Sequence, residues 1–110
     1  MLFRSDTFGP IGPYLVTADE FADPDALELV GWVSGVEMQR TSTSDLIFDV
    51  PAIVEWLSRY ITFQPGDLVW TGTPGGVGEA QRPPRFLRAG DVVETEVVGV
   101  GRMRNPVVER

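Results

Sequence analysis

A glycine-rich segment near the middle of the chain most constrains how it can fold. The run Thr71–Gly78 contains four glycines, one proline and two threonines within eight residues, so it cannot continue a regular helix or strand. The preceding residues, Leu68–Thr71, have the composition of a short, half-buried strand. Glycines permit positive φ angles and close approach of the backbone to a bound group, and successive N–H groups in such a turn can bind an anion. The segment therefore predicts either a loop that binds a small acidic ligand or an ordinary tight turn.

The sequence argues against two kinds of nucleotide site. A P-loop requires a lysine after its glycines, whereas the chain has no lysine. A dinucleotide fingerprint opens a helix, and Pro83-Pro84 soon after the glycines disfavours a helix there. The glycine-rich segment is therefore not expected to bind a nucleotide.

The residue types that are missing also limit the available chemistry. Histidine, cysteine and lysine are all absent, which leaves carboxylates, hydroxyls, arginines and backbone dipoles as reactive or binding groups. The net charge of −7 argues against binding to nucleic acid or to anionic membranes. No apolar run approaches the roughly 20 residues of a membrane-spanning helix. We therefore expect residues 1–110 to form a single domain or part of one, located in the cytoplasm.

Alternating and helical patterns define the remaining elements. Short strands are predicted at Tyr14–Thr17, from Leu27 to about Val33, from Val36 to Arg40, around Val93–Val97 and over Arg102–Val107. Ser34-Gly35 indicates a two-residue hairpin between the second and third of these. Apolar residues at helical spacing predict one main helix over residues 51–61, with Asp49 and Pro51 at its start. Its aromatic residues Trp56 and Tyr60 are expected in the core. These elements predict a β-rich α+β fold.

Several motifs, in order and with sensible gaps, resemble the fumarylacetoacetate hydrolase family over nearly the whole chain. They are Asp6-Thr7-Phe8-x-Pro10-x-Gly12-Pro13, Val16-Thr17-x-Asp19-Glu20, Val33-Ser34-Gly35 with Gln39, Ser44-Asp45-Leu46-Ile47-Phe48, Pro65-Gly66-Asp67 with Thr71-Gly72-Thr73-Pro74-x-Gly76-Val77-Gly78, Gly90-Asp91-Val92-Val93 and Gly99-x-Gly101-x-x-x-Asn105-Pro106. The resemblance is to the C-terminal half of the catalytic domain.

This resemblance implies a fold, a chemistry and a candidate site. The implied fold is a partial mixed β-sandwich roll, usually in a homodimer. The implied chemistry is metal-dependent C–C hydrolysis, decarboxylation or isomerisation of 2-oxo and β-diketo acids, with Mg²⁺ or Mn²⁺ as the cofactor. Gly72 and Thr73 resemble the substrate loop, in which a backbone N–H and a hydroxyl bind the substrate carboxylate. No catalytic residue is assigned.

The chain departs from the family pattern at the metal site. The family's Glu-x-Glu pair and later Asp lie upstream of the match to Asp6, so we expect this chain to bind no metal by itself. Asp19 and Glu20 are adjacent and would point to opposite faces of an extended segment, so their acidic cluster is interpreted as a solvated surface.

Two hypotheses therefore remain. The chain is either the substrate-binding portion of an enzyme that requires the missing half, or a catalytically silent β-rich module that dimerises or binds an acid.

Overall fold

The architecture is a four-stranded sheet accompanied by one helix. A computed structural model describes residues 7–20 and 23–109. The regular elements, in chain order, are β1 (Glu28–Val33), β2 (Val36–Ser42), α1 (Val50–Ser58), β3 (Val92–Val97) and β4 (Gly101–Pro106). The strand order is β2-β1-β3-β4, and every neighbouring pair is antiparallel. The predicted β-rich α+β class is confirmed.

The hairpin between β1 and β2 forms where the sequence predicts it. Ser34 and Gly35 have φ angles of 50° and 81°, and positive angles at both central residues match the right-handed twist of the flanking strands. Further along, the register shifts so that Gly31 pairs with Gln39 while Trp32 pairs with Glu37. Met38 is therefore an extra residue in β2 and forms a β-bulge.

Helix α1 begins as predicted and ends earlier. The Asp49 carboxylate accepts a hydrogen bond of 2.8 Å from the Ala52 N–H, which caps the first turn. The helix ends at Ser58, and residues 59 and 60 form a turn in which the Tyr60 N–H donates to the Leu57 carbonyl. Within residues 7–20 and 23–109, no helix has the length and hydropathy needed to cross a membrane.

Three expectations about individual segments are wrong. Tyr14–Thr17 and Leu68–Thr71 lie outside every strand that the structure describes. Their side chains favour extended backbone, but a strand also requires a neighbouring backbone with which to pair. Trp56 and Tyr60 contact each other with ring centroids 5.0 Å apart, yet they are 57% and 71% exposed because no described layer covers them. Asp6, at the start of one motif, lies outside the described residues.

The described core is very small for a chain of this length. Val30, in the central strand β1, is the only hydrophobic residue in the described part that is buried. A compact monomer of this size would expose about 6000 Å², whereas this structure exposes 8846 Å². Its radius of gyration is 15.4 Å, compared with about 13 Å for a compact domain. Much apolar surface therefore faces outward.

We expect this surface to drive self-association at micromolar concentration, because exposed apolar area of this extent favours contact with other chains. The Ile47→Asp variant should show less self-association, because Ile47 is 91% exposed beside α1. Sedimentation velocity measures the effect. Val108→Asp is the matched control, since Val108 is 76% exposed near the end of the chain. A monodisperse, cooperatively folded monomer of the unaltered chain would contradict this expectation.

A polar cluster joins the first hairpin to the start of β3. The Ser34 hydroxyl donates to the Asp91 carboxylate over 2.7 Å and accepts from the Val92 N–H over 3.3 Å. The same carboxylate accepts from the Arg88 N–H at 3.0 Å and from the Arg85 guanidinium at 3.2 Å. The hydrogen bond from Ser34, followed by that from Arg88, lowers the pKa of Asp91 below its ordinary value of 3.8.

Ser34→Ala is expected to lower the free energy of unfolding at pH 7. Because the folded pKa of Asp91 is depressed, its stabilising contribution is present above about pH 4 and is lost as the pH falls through the folded pKa. The difference in unfolding free energy between Ser34→Ala and the parent chain should therefore be smaller below about pH 4 than at pH 7. Urea unfolding at both pH values measures it.

Ser58→Ala serves as the control for this comparison. The Ser58 hydroxyl donates to the Val54 carbonyl and has no carboxylate partner, so its effect on unfolding should not vary with pH. A pH-independent effect of Ser34→Ala would show that the hydrogen bond from Ser34 is not the source of the stabilising contribution of Asp91.

Candidate functional site

A large concavity lies beside the edge strand β2. Its volume is about 1290 Å³. Four parts of the chain form its walls: Leu29 in β1, the end of β2 with the residues that follow it to Phe48, α1 with Arg59, and residues 69–75. Helix α1 and the glycine-rich segment therefore line the same concavity as the end of the edge strand β2.

The two residues predicted to bind substrate lie together on the wall of this concavity. Gly72 has a φ angle of 146°, which a residue with a side chain rarely adopts. Both Gly72 and Thr73 are exposed. Among the residues that the structure describes, neither their main-chain N–H groups nor the Thr73 hydroxyl has a hydrogen-bond partner. Two N–H donors and a hydroxyl are therefore available to an incoming acceptor.

Two glutamine side chains from outside the glycine-rich segment donate hydrogen bonds to its backbone carbonyls. The Gln39 side-chain Nε2 donates to the Pro74 carbonyl over 2.9 Å and to the Gly75 carbonyl over 3.4 Å. On the other side, the Gln81 Nε2 lies 3.4 Å from the Gly76 carbonyl. Gln39 appeared in the sequence only as one member of a motif, and nothing in its local pattern indicated a contact with residues that lie 35 positions away.

Two glycines of the segment pack directly against backbone. At Gly76, with a φ angle of 99°, a Cβ atom would overlap the Met38 carbonyl oxygen. At Gly78, a Cβ atom would overlap the Arg85 carbonyl oxygen. Neither neighbour can rotate away as a flexible side chain would, so these positions require glycine. The bulge in β2 and the glycine-rich segment are thus in direct contact.

Charged groups line the concavity and are already engaged. Arg40 contacts Glu28 and binds Glu37 through two hydrogen bonds of 2.7 and 3.0 Å. The bond to Glu37, followed by that to Glu28, raises the pKa of Arg40, which stays cationic. Asp45 accepts a 2.8 Å hydrogen bond from the Thr41 hydroxyl, and this bond is the main cause of its lowered pKa. Asp45 therefore remains a carboxylate at neutral pH.

Much of the remaining wall is apolar and exposed. Ile47 and Phe48, which follow Asp45, are 91% and 68% exposed, and Trp56 and Trp70 are each more than half exposed. Sequence patterns placed these residues in a motif, a helix and a strand, but not around one cavity, because their convergence depends on the path of the chain between β2 and β3.

The described side chains do not fit a divalent metal ion. Within residues 7–20 and 23–109, no group of three or more His, Cys, Asp or Glu side chains lies close enough to hold one. The two carboxylates lining the concavity are Asp45, bound to Thr41, and Glu55, paired with Arg59 at 2.7 Å. No step of a reaction is therefore assigned to a metal held by these residues.

Comparison with known proteins gives the family. The profile "Fumarylacetoacetate (FAA) hydrolase C-terminal" matches residues 4–108. The chain belongs to the FAA hydrolase family. The resemblance inferred from the motifs is confirmed.

Individual family members are similar over almost all of this chain. A mitochondrial oxaloacetate tautomerase of Xenopus laevis is 46% identical over 103 residues, which are 94% of this chain and 32% of that protein. The 2,4-didehydro-3-deoxy-L-rhamnonate hydrolase of Sphingomonas sp. (strain SKA58) is 47% identical over 105 residues, covering 94% of this chain and 37% of that protein. The chain thus spans about a third of the length of the curated relatives it matches.

A solved structure shows the same architecture. The maleylpyruvate hydrolase of Sphingobium sp. SYK-6, in complex with manganese(II) and pyruvate, has a TM-score of 0.84 and 40% sequence identity. The match covers 94% of this chain and 36% of the hydrolase chain. The β-rich arrangement is therefore that of FAA hydrolase C-terminal domains.

Gly76→Ala is expected to destabilise the fold by more than about 1 kcal/mol, because the new methyl group combines an unfavourable φ with overlap of the Met38 carbonyl. Gly75→Ala is the matched control, since a Cβ atom there would meet nothing within 4 Å. Urea unfolding of both variants measures the effect. Equal stability of the two variants would show that the segment does not pack against β2 in solution.

Proposed function

We propose that this chain supplies the loop that binds the carboxylate of a 2-oxo or β-diketo acid in an FAA hydrolase family enzyme. One observation supports this most strongly: the donors of Gly72 and Thr73 have no described partner and lie on the wall of a large concavity. A carboxylate oxygen accepts readily from backbone N–H and hydroxyl groups. The reaction class is C–C hydrolysis, decarboxylation or isomerisation.

The activities of the relatives support this class of substrate. One relative is a tautomerase of oxaloacetate, and another is a hydrolase of a didehydro-deoxy-rhamnonate. The similar structure of maleylpyruvate hydrolase holds pyruvate. All of these molecules are small organic acids, and Gly72 and Thr73 offer donors suited to the group they share.

The proposed cofactor of the complete enzyme is Mg²⁺ or Mn²⁺. The manganese in the maleylpyruvate hydrolase structure supports this, whereas the described residues of this chain offer no ligand set. Under the proposal, residues corresponding to the remaining two thirds of the relatives hold the ion. This chain contributes the binding of the substrate carboxylate and the apolar walls around it.

The proposed assembly is a homodimer or an association with the portion that this chain does not match. The exposed apolar residues around the concavity support such a contact. We propose the cytoplasm as its location on the basis of the cysteine-free composition. Separation of cell compartments tests this, since some relatives carry a mitochondrial designation.

The second candidate is a catalytically silent module that binds an acid or dimerises. The lack of a metal-ligand cluster in the described part of the chain favours it. Extension of the encoding reading frame upstream through a Glu-x-Glu pair and a later Asp would favour the enzyme instead. If purified residues 1–110 turned over an acylpyruvate in the presence of Mg²⁺, both this candidate and the need for other residues would be excluded.

In the complete enzyme, Thr73→Val should lower kcat/KM by roughly one to two orders of magnitude and leave metal affinity unchanged. The substitution keeps the shape of the side chain and removes a hydrogen bond to a charged group, which costs about 1.5–3 kcal/mol. Steady-state kinetics and metal titration measure the two quantities.

Thr95→Val is the matched control, because Thr95 lies on β3 and does not line the large concavity. If the Thr73 hydroxyl only stabilised its own turn, the thermal stability of Thr73→Val would fall while kcat/KM stayed the same. That outcome would overturn the proposed role of Thr73.

A further inference from the structure

We propose that Gln39 is a positioning residue, whose side-chain amide fixes the conformation of the glycine-rich segment so that its N–H groups meet a ligand carboxylate. This inference rests on the proposed function, since it assumes that Gly72 and Thr73 bind an acid. Gln39 itself does not line the concavity, so it acts through the backbone of the segment.

The position of Gln39 follows from the bulge in β2. Met38 is the extra residue, and its carbonyl oxygen lies against Gly76. The next residue, Gln39, returns to the ladder opposite Gly31 and directs its Nε2 to the carbonyls of Pro74 and Gly75. Two consecutive residues of a paired strand therefore hold three consecutive residues of the irregular segment.

The amide of Gln39 suits this task chemically. Its NH₂ group has two donors, and it meets two carbonyl oxygens at 2.9 and 3.4 Å. An ionised carboxylate of the same length could only accept, and would face two acceptors. A thioether of similar length could fill the space without donating a hydrogen bond.

Fixing these carbonyls also fixes the opposite side of each peptide unit. In a planar trans peptide, the C=O of one residue and the N–H of the next point in opposite directions. Holding the Pro74 carbonyl toward β2 therefore directs the Gly75 N–H away from it. The ring of Pro74 restricts its φ angle, so the constraint passes back to the peptide of Thr73. Without the hydrogen bonds from Gln39, the neighbouring glycines would allow many backbone conformations.

The test compares Gln39→Met and Gln39→Glu with the parent 110-residue chain. Amide resonances of Gly72, Thr73, Gly75 and Gly76 are recorded by NMR without ligand, and pyruvate is then titrated. We expect resonances of this segment to shift in both variants. Pyruvate should bind about tenfold more weakly to Gln39→Met, as for the loss of one or two ordinary hydrogen bonds. Gln39→Glu should bind still more weakly, because its charge repels both carbonyls and the ligand.

Gln64→Met and Gln64→Glu are the matched controls, since Gln64 is exposed and lies outside the concavity. They should match the parent chain in both measurements. Melting temperatures separate positioning from stability: a purely structural role of Gln39 would lower the melting temperature and leave pyruvate affinity unchanged. If Gln39→Met does not fold, Gln39→Glu, which keeps the shape of the side chain, carries the same comparison.

The outcomes distinguish this inference from the proposed function. If the parent chain shows no shift at Gly72 and Thr73 on adding pyruvate, the proposed binding loop is wrong. The ligand-free spectra then still decide whether Gln39 positions the segment. Unaltered resonances of residues 72–76 in both Gln39 variants, or unaltered pyruvate affinity in both, would overturn the inference.

Discussion

The antiparallel pairing of β1 with β3 is the interaction on which the rest of this structure depends. Five residue pairs, from Leu29 with Val97 to Val33 with Val93, join segments that are about 60 positions apart in the chain. This ladder unites two local hairpins into one sheet. Everything between them, including α1 and the glycine-rich segment, becomes a long connection whose ends are held at β2 and β3, the two strands that flank β1. The Ser34–Asp91 hydrogen bond strengthens this junction at one end of the ladder.

The long connection is held to the sheet at few points, and these points are specific. Gly76 approaches the Met38 carbonyl of β2 so closely that no larger residue fits, and Gly78 approaches the Arg85 carbonyl just as closely within the connection itself. Gln39 adds hydrogen bonds to the carbonyls immediately before Gly76. The glycines therefore have two different purposes: some permit unusual backbone angles, while others permit contact. Together these contacts place Gly72 and Thr73 beside the edge strand.

The same arrangement leaves an apolar surface uncovered. The large side chains around the concavity remain exposed because the described chain has no second layer over them. Since the chain matches about a third of the length of its relatives, an apolar surface is compatible with contact to further polypeptide. The proposed substrate loop and this surface lie on one concavity, so under the proposal ligand binding depends on whatever covers that surface.

Features that depend on neighbouring residues were predictable from the sequence alone. The Ser34-Gly35 turn, the capped start of α1 at Asp49 and the positive φ angles in the glycine-rich segment follow from local steric and hydrogen-bonding preferences. Gly72 and Thr73 were identified as candidates because their residue types and order carry a recognisable pattern. The chemistry that lysine, histidine or cysteine would supply was excluded by composition alone.

The tertiary structure decided what depends on distant partners. Leu68–Thr71 has strand-forming side chains, but strand formation also requires a ladder of backbone hydrogen bonds, and the segment lies outside the strands of the described part of the chain. Trp56 and Tyr60 have helical spacing, but burial requires another layer over that side of α1. The contact of Gln39 with Pro74 arises only once the β2 bulge and the long connection are in place. Local preferences thus determined the turns and the helix start, whereas non-local pairing and packing determined which extended segments became strands and which residues met at the site.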